Sequence, residues 1–220
     1  MTFMRPPPGA GLCISGSMPE GGQITPFELA SLSLRLELDP SLSTVGAHGA
    51  CAALLGLATG VTKILGTGRN SALLERVKAL APARIEVFAV GKRLVQEWAM
   101  EATDNEGVDA VIDTLPPGAP ASAMLDALRA LRRGGRAVDV GGVAETLPLN
   151  VHWMMGMNIQ LIGSCWFTTG EGQEMAEMAR VGTLDLSVLE HRRISLRDVN
   201  DALSSLQDAN RGFNNFVVIP

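Results

Sequence analysis

Cysteine is scarce and scattered. Cys13, Cys51 and Cys165 are odd in number, far apart in sequence, and form no CxxC or Cys/His cluster, which points away from a disulfide framework and from a structural zinc site. Aromatic residues make up only 4% of the chain. Positive charge is also short. The net charge is −5, and the 18 Lys and Arg are dispersed apart from Arg132-Arg133 and Arg192-Arg193. With no basic stripe to meet a phosphate backbone, nucleic acid is not an expected partner. Long apolar runs are missing too: Ala50 to Ala58 falls far below the roughly 20 residues a membrane span needs. The first residues, MTFMRPPPGAG, lack the apolar core of a signal peptide. A cytoplasmic protein without a membrane partner is the expectation.

What is present is the composition of a globular protein, 46% hydrophobic and 19% charged over 220 residues, enough for one well-buried domain. Residues 1–26 are rich in Pro, Gly and Ser and show neither apolar period, so they read as an irregular arm or a remnant of something longer. The remainder, 27–220, reads as one domain. Phe27 to Leu38 is compatible with a helix or, through its Leu-Ser-Leu-Arg-Leu alternation, with a strand.

Beyond Asp39-Pro40 short aliphatic runs alternate with segments of helical period, the sign of a parallel sheet with crossover helices. The expected strands are Leu42–Val45, Thr62–Leu65, Ile85–Val90, Val108–Asp113, Arg136–Gly142 and Asn158–Trp166. Between them come helices over Ala50–Ala58, from an Asn70 cap to Pro82, over Arg93–Ala102, and along the Met124, Leu125, Leu128, Leu131 stripe closed by Gly134-Gly135. A methionine-rich helix around Glu171–Val181, a helix opened by Ser195 and Asp198, and a last strand NFVVIP complete the order. The fold class is α/β: a doubly wound, mostly parallel six-stranded sheet with helices on both faces, which places a nucleotide crevice at the carboxyl ends of the strands.

The turn after the first expected strand carries Gly46, Gly49 and the small Ala52 at intervals of three. Backbone N–H groups can approach a diphosphate there where a Cβ would collide with it. A glycine turn of purely structural purpose is the alternative, since GxxGxxA is a looser pattern than GxGxxG. The second strand ends Gly66-Thr67-Gly68-Arg69-Asn70, with no acid before Glu75. A carboxylate at that point would favour a ribose hydroxyl, whereas a guanidinium can grip a 2′-phosphate in bidentate fashion. NADP(H) is therefore expected over NAD(H). A solvated arginine ahead of a helix cap is the competing reading.

The segments VDAVIDTLPP, ALRALRRGGRAVDVGG and NIQLIGSCW, with GTGRN and FNNFVVIP, resemble the cofactor domain of the medium-chain alcohol dehydrogenase and quinone reductase superfamily over about residues 27–220. The resemblance implies that Gly46, Ala47, His48 and Gly49 meet the diphosphate and that Thr67, Gly68, Arg69 and Asn70 surround the adenosine ribose. It further implies that Thr114, Leu115, Gly141 and Gly142 sit under the nicotinamide half, with Cys165 near its open face. The strand at Ile159–Cys165 would pair with its copy in a second subunit, giving a homodimer.

Members of that superfamily carry a separate N-terminal domain that supplies zinc ligands or proton donors, and nothing in residues 1–40 offers a zinc ligand set. Between Pro40 and Gly46 there is only SLSTV, a short feed into the phosphate turn. The function expected is NADPH-dependent, zinc-independent hydride transfer to a small carbonyl or activated alkene. A non-catalytic binding module that keeps the fold, or a chain that is part of a longer dehydrogenase, are the alternatives. Asp113 and Asp139 are expected to cap loops or pair with arginines, and neither is assigned a role as a base.

Overall fold

The computed structural model describes residues 10–15, 47–91, 93–115, 118–141, 143–165, 167–205 and 213–219. Six strands form one sheet: β1 Ala10–Ser15, β2 Lys63–Gly68, β3 Ile85–Ala89, β4 Val108–Asp113, β5 Leu131–Asp139 and β6 Gln160–Gly163, in the order β3-β2-β1-β4-β5-β6. That is the 3-2-1-4-5-6 order of a doubly wound dinucleotide-binding sheet. Helices α1 Ala47–Ala58, α2 Ser71–Leu80, α3 Val95–Ala102, α4 Ala121–Arg129, α5 Val151–Met157 and α6 Thr169–Arg180 lie between or after these strands. Among the described residues β7 Glu190–Ser195 and β8 Asn214–Ile219 pair in parallel as a separate ribbon, linked through a short 3-10 turn at Leu196–Asp198 and helix α7 Val199–Ser205.

The central slot is the main departure from the sequence reading. β2–β3, β4–β5 and β5–β6 are parallel pairs. The slot between β2 and β4, however, is filled by β1, antiparallel to both. Residues 10–15, expected to belong to an irregular arm, thus form a strand, while the expected strand at 42–45 lies outside the described residues. The expectation failed because a run as short as AGLCIS carries no period of its own. Its strand conformation comes from two flanking backbones, with Leu12 paired to Gly66 on one side and Ile112 on the other.

The helices follow their sequence signals closely. Asn70 caps α2, its side chain accepting the Leu73 N–H at 3.2 Å. α6 opens with a capping box in which Thr168 and Glu171 accept from each other's backbone N–H. Gly134-Gly135 was expected to close α4, yet that helix ends at Arg129 and β5 starts at Leu131. The pairing jumps from Val108–Leu131 to Ala110–Arg136, so the glycines sit in an irregular part of β5, and Gly134 takes a φ of +77° that side chains rarely adopt.

The core lies between the sheet and its helices. Ile64, Leu65, Ile85, Ile112, Leu115, Met124 and Leu128 are its largest fully buried side chains, each stabilising the fold by about 1.5–3 kcal/mol relative to exposure. α1 packs against this centre with Ala50, Ala52, Ala53, Leu54 and Leu55 all buried. Its small residues let the helix lie close to β1 and β2. The Arg84 guanidinium donates to the Val61 and Leu57 carbonyls and holds the turn that joins α1 to β2.

Candidate functional site

The strand registers bring the expected site residues to one end of the sheet. Gly68 pairs with Ala89 and with Ala10, and Asp139 pairs with both Asp113 and Gly163. The carboxyl ends of β2 through β6, together with the amino end of β1, therefore form a single rim. α1 hands over to β2 at the opposite end, through the turn in which the Val61 N–H donates to Gly56. The 12 residues of α1 rise about 18 Å, which carries its N-terminus back to the rim.

That helix end is suited to an anion. Ala47, His48 and Gly49 form the first turn of α1 rather than the loop before it, and the turn contains no acidic residue. Gly49 is buried. The N–H groups of a first helical turn have no partner within the helix and carry the positive end of its dipole. Neighbouring helix ends are already closed by side-chain oxygens. Asn70 caps α2, Asp126 accepts the Val95 N–H of α3 at 3.0 Å, and Glu145 accepts the Ala121 N–H of α4 at 2.7 Å. Gly46 lies outside the described residues.

On the β2 side, Thr67 and Gly68 are buried as the last residues of the strand, and Arg69 is exposed immediately beyond them. Partial burial pulls the Arg69 pKa below its ordinary value, but the group remains a cation at neutral pH. Among the described residues Arg69 takes part in no ion pair. Arg93, which follows β3, is instead held on α3 by Glu101 at 2.8 Å and Glu97 at 3.5 Å. Asn70 spends its side-chain oxygen on the α2 cap, a second duty beside the expected ribose contact.

On the β4–β5 side, two carboxylates shape the rim. Asp113 is buried and its Oδ1 accepts the Leu115 N–H at 2.7 Å, while Asp139 Oδ1 accepts the Gly141 N–H at 2.9 Å. Both act as loop caps. The two segments are tied by the Val140 N–H, which donates to the Asp113 carbonyl at 3.0 Å, and they run so close that a Cβ on Gly141 would stand 2.7 Å from the Leu115 carbonyl oxygen and 2.8 Å from its nitrogen. Glycine is required at that crossing. Thr114 and Leu115 thus lie against Gly141, with Leu115 fully buried beneath the rim, whereas Gly142 lies outside the described residues.

β6 is shorter than expected. It ends at Gly163, and the Ser164 N–H donates to the Asp139 carbonyl at 2.9 Å. Cys165 is exposed just past the strand. Phe167 packs its ring over Gly172 in the first turn of α6.

The rim thus gathers a helix start without acids, small residues at the close approaches, and a cation at the end of β2. Glu145 and Asp126 were invisible to sequence reasoning, because a carboxylate that caps a helix from more than twenty residues away leaves no local pattern. Among the described residues no group of three His, Cys, Asp or Glu is placed to hold a metal ion, and no helix is long and apolar enough to cross a membrane.

A family model described as zinc-binding dehydrogenase matches residues 47–181. No curated protein matches the sequence. Solved structures do. A protein of Sinorhizobium meliloti described as a zinc-binding dehydrogenase and solved bound to NADP is 22% identical, with a TM-score of 0.69 over 89% of this chain and 57% of the other. The 2R,3R-butanediol dehydrogenase of Bacillus subtilis is 15% identical, with a TM-score of 0.69 over 89% and 56%. The alcohol dehydrogenase of Aeropyrum pernix is 21% identical, with a TM-score of 0.66 over 90% and 55%. At such identities the likeness is one of fold, and this chain spans about half the length of these structures.

Proposed function

The chain belongs to the zinc-binding dehydrogenase family, and from that premise we propose that it binds NADP(H) across the rim of β2–β6 and serves hydride transfer to a small carbonyl or activated-alkene substrate. The oxidoreductase class follows from the family. The preference for the phosphorylated nucleotide rests on one observation: Arg69, exposed at the end of β2, has no carboxylate engaging it among the described residues, whereas Arg93 has two. The NADP-bound neighbour supports the same reading.

When bound, the nicotinamide would supply or accept the hydride. The chain's own residues bind and orient. First-turn amides of Ala47, His48 and Gly49 would receive the diphosphate, the Arg69 fork the 2′-phosphate, and Thr67, Gly68 and Asn70 the ribose. Thr114, Leu115 and Gly141 would form the floor of the nicotinamide half, with Cys165 at its open face. No zinc step is included, since the donors a catalytic zinc requires are not gathered among the described residues.

Calorimetric titration with both nucleotides tests the assignment. Arg69→Ala should weaken NADPH binding by about 1–3 kcal/mol, roughly five- to 150-fold, and leave NADH nearly unchanged. Equal losses on both nucleotides contradict it.

The alternative to be tested is a cofactor-binding module without turnover of its own. NADPH that quenches tryptophan fluorescence yet is never consumed across a carbonyl and quinone panel would support this reading. A homodimer is part of the proposal as well. β6 is the outer strand of the sheet, and Val151 and Met155 are exposed on the preceding helix. Light scattering should give twice the chain mass, and Leu161→Pro, which removes a backbone N–H from that strand, should give one.

A further inference from the structure

A second concavity lies away from the rim. A cavity of about 420 Å³ opens between α1, α2, the segment 183–188 and Phe213, and none of the residues at the carboxyl ends of the strands lines it. Its floor is apolar. Leu54 and Phe213 are buried, and Leu57, Leu80 and Val188 form the walls. Its volume falls within the roughly 300–1,000 Å³ range of small-molecule sites, which share this pattern of apolar walls with a few fixed polar groups.

The polar groups differ in how they are engaged. Arg76 is satisfied twice, its Nη2 standing 2.6 Å from Glu190 and its guanidinium carbon 4.4 Å from the Phe213 ring centroid. That pairing also locks Phe213 into the floor. Asp185 lies on the exposed rim of the cavity, where hydrogen bonding from the Ser187 side chain first, and then from the Ser187 N–H at 2.9 Å, holds its carboxyl below the usual carboxylate range. The segment that carries it is anchored by Leu184, which is buried and donates its N–H to Met178 at 3.0 Å. Of the two charged residues that line the cavity, Arg76 and Asp185, the arginine is already paired with Glu190, which stands outside the lining. The residual charge at the mouth is that of Asp185.

We propose that this cavity is a second binding site, separate from the cofactor crevice, for a small ligand with an aromatic or branched apolar body and a primary ammonium head that meets Asp185. The walls take the body, and the carboxylate selects the sign of the head. Because α1 and α2 build both this cavity and the cofactor rim, the ligand rests on the flanks of helices whose N-termini lie at the rim.

Three probes that share an indole body but differ in the head decide the matter: tryptamine, tryptophol and indole-3-acetate, titrated calorimetrically into the full chain without nucleotide. Tryptamine should bind about three- to tenfold more tightly than indole-3-acetate, with tryptophol between them, the ratio being modest because Asp185 is exposed. Asp185→Asn should abolish the ordering and leave tryptophol unchanged. Ala79→Trp, an exposed lining position on α2, should block all three while leaving the melting temperature near that of the parent. Failure of every probe to bind at millimolar concentration, equal or tighter binding of the acid, or undiminished binding to Ala79→Trp would each overturn the proposal. Since no nucleotide is present, failure here leaves the Arg69 test untouched.

Discussion

The strands β2 and β4 of the six-stranded sheet and the parallel β7–β8 ribbon stand at opposite ends of burial. In the sheet Ile64 and Ile112 are 0% exposed; in the ribbon Val217, Val218 and Ile219 are 44%, 44% and 41% exposed. Parallel strands are ordinarily covered on both faces, and β2 and β4 meet that condition while the ribbon does not. Folding free energy is therefore concentrated in β2, β4 and the helices over them. The candidate cofactor rim sits on those same strands, so its geometry is set by the most stable part of the molecule.

Cutting into each region sharpens the contrast. Ile112→Ala should cost about 2–5 kcal/mol as a cavity opens in a sealed core, whereas Val218→Ala should stay below about 1 kcal/mol. Urea denaturation midpoints of the two variants measure the difference, and similar losses would break the comparison. Next in size comes Gly141→Ala. Its Cβ would press on backbone atoms of Leu115, which cannot move as a side chain tip can, so a loss of about 1–3 kcal/mol is expected, together with weaker nucleotide binding. An unchanged melting temperature and affinity would show that the β4 and β5 loops do not cross so closely.

A smaller contrast lies in the caps. Asn70→Ala should lower stability by about 1 kcal/mol, since the Leu73 N–H loses its acceptor. Ser195→Ala, which removes only an exposed hydroxyl contact to Asp198 at 2.8 Å, should stay within about 0.5 kcal/mol.

The smallest effect concerns the cysteines. Burial pushes the Cys51 thiol up to about 11, so at pH 8 iodoacetamide should modify exposed Cys165 and spare Cys51, as peptide mapping would show. The unfolded thiol ionises near 9 while the native one keeps its proton to about 11. Cys51 therefore contributes stability that is whole below pH 9 and fades as pH rises through that window. Cys51→Ala should flatten that part of the pH profile.

Much of this was legible from residues alone. β4 has the bounds expected of it, α2 begins at its Asn70 cap, and the order of elements from Ala47 to Asp139 follows the alternation of periods, whereas the helix α5 at Val151–Met157 was not expected. Local signals sufficed there because propensity, capping and packing agree. They failed where the partner decides. β1 is a strand only because β2 and β4 offer it two edges. β7, EHRRIS, lacks apolar alternation and is held by β8 alone, while Gly134-Gly135 looks like a helix stop and is an irregularity within β5.

For the candidate site, the sequence placed Thr67, Arg69, Thr114, Leu115 and Gly141 in segments that the fold gathers at one rim. It could not foresee the Val140 N–H bond to the Asp113 carbonyl that ties the loops after β4 and β5, nor the antiparallel strand beside β2. The loop-capping role expected of both aspartates is what the structure contains.

The central claim is that a dinucleotide's diphosphate rests on the first turn of α1 with its adenosine end at Arg69. Amide hydrogen exchange of the full chain, with and without saturating NADPH, tests it most directly. Protection is expected at Ala47–Cys51 and Thr67–Asn70, with little change in β7 and β8. Protection confined to other segments, or none at saturation, would contradict the account.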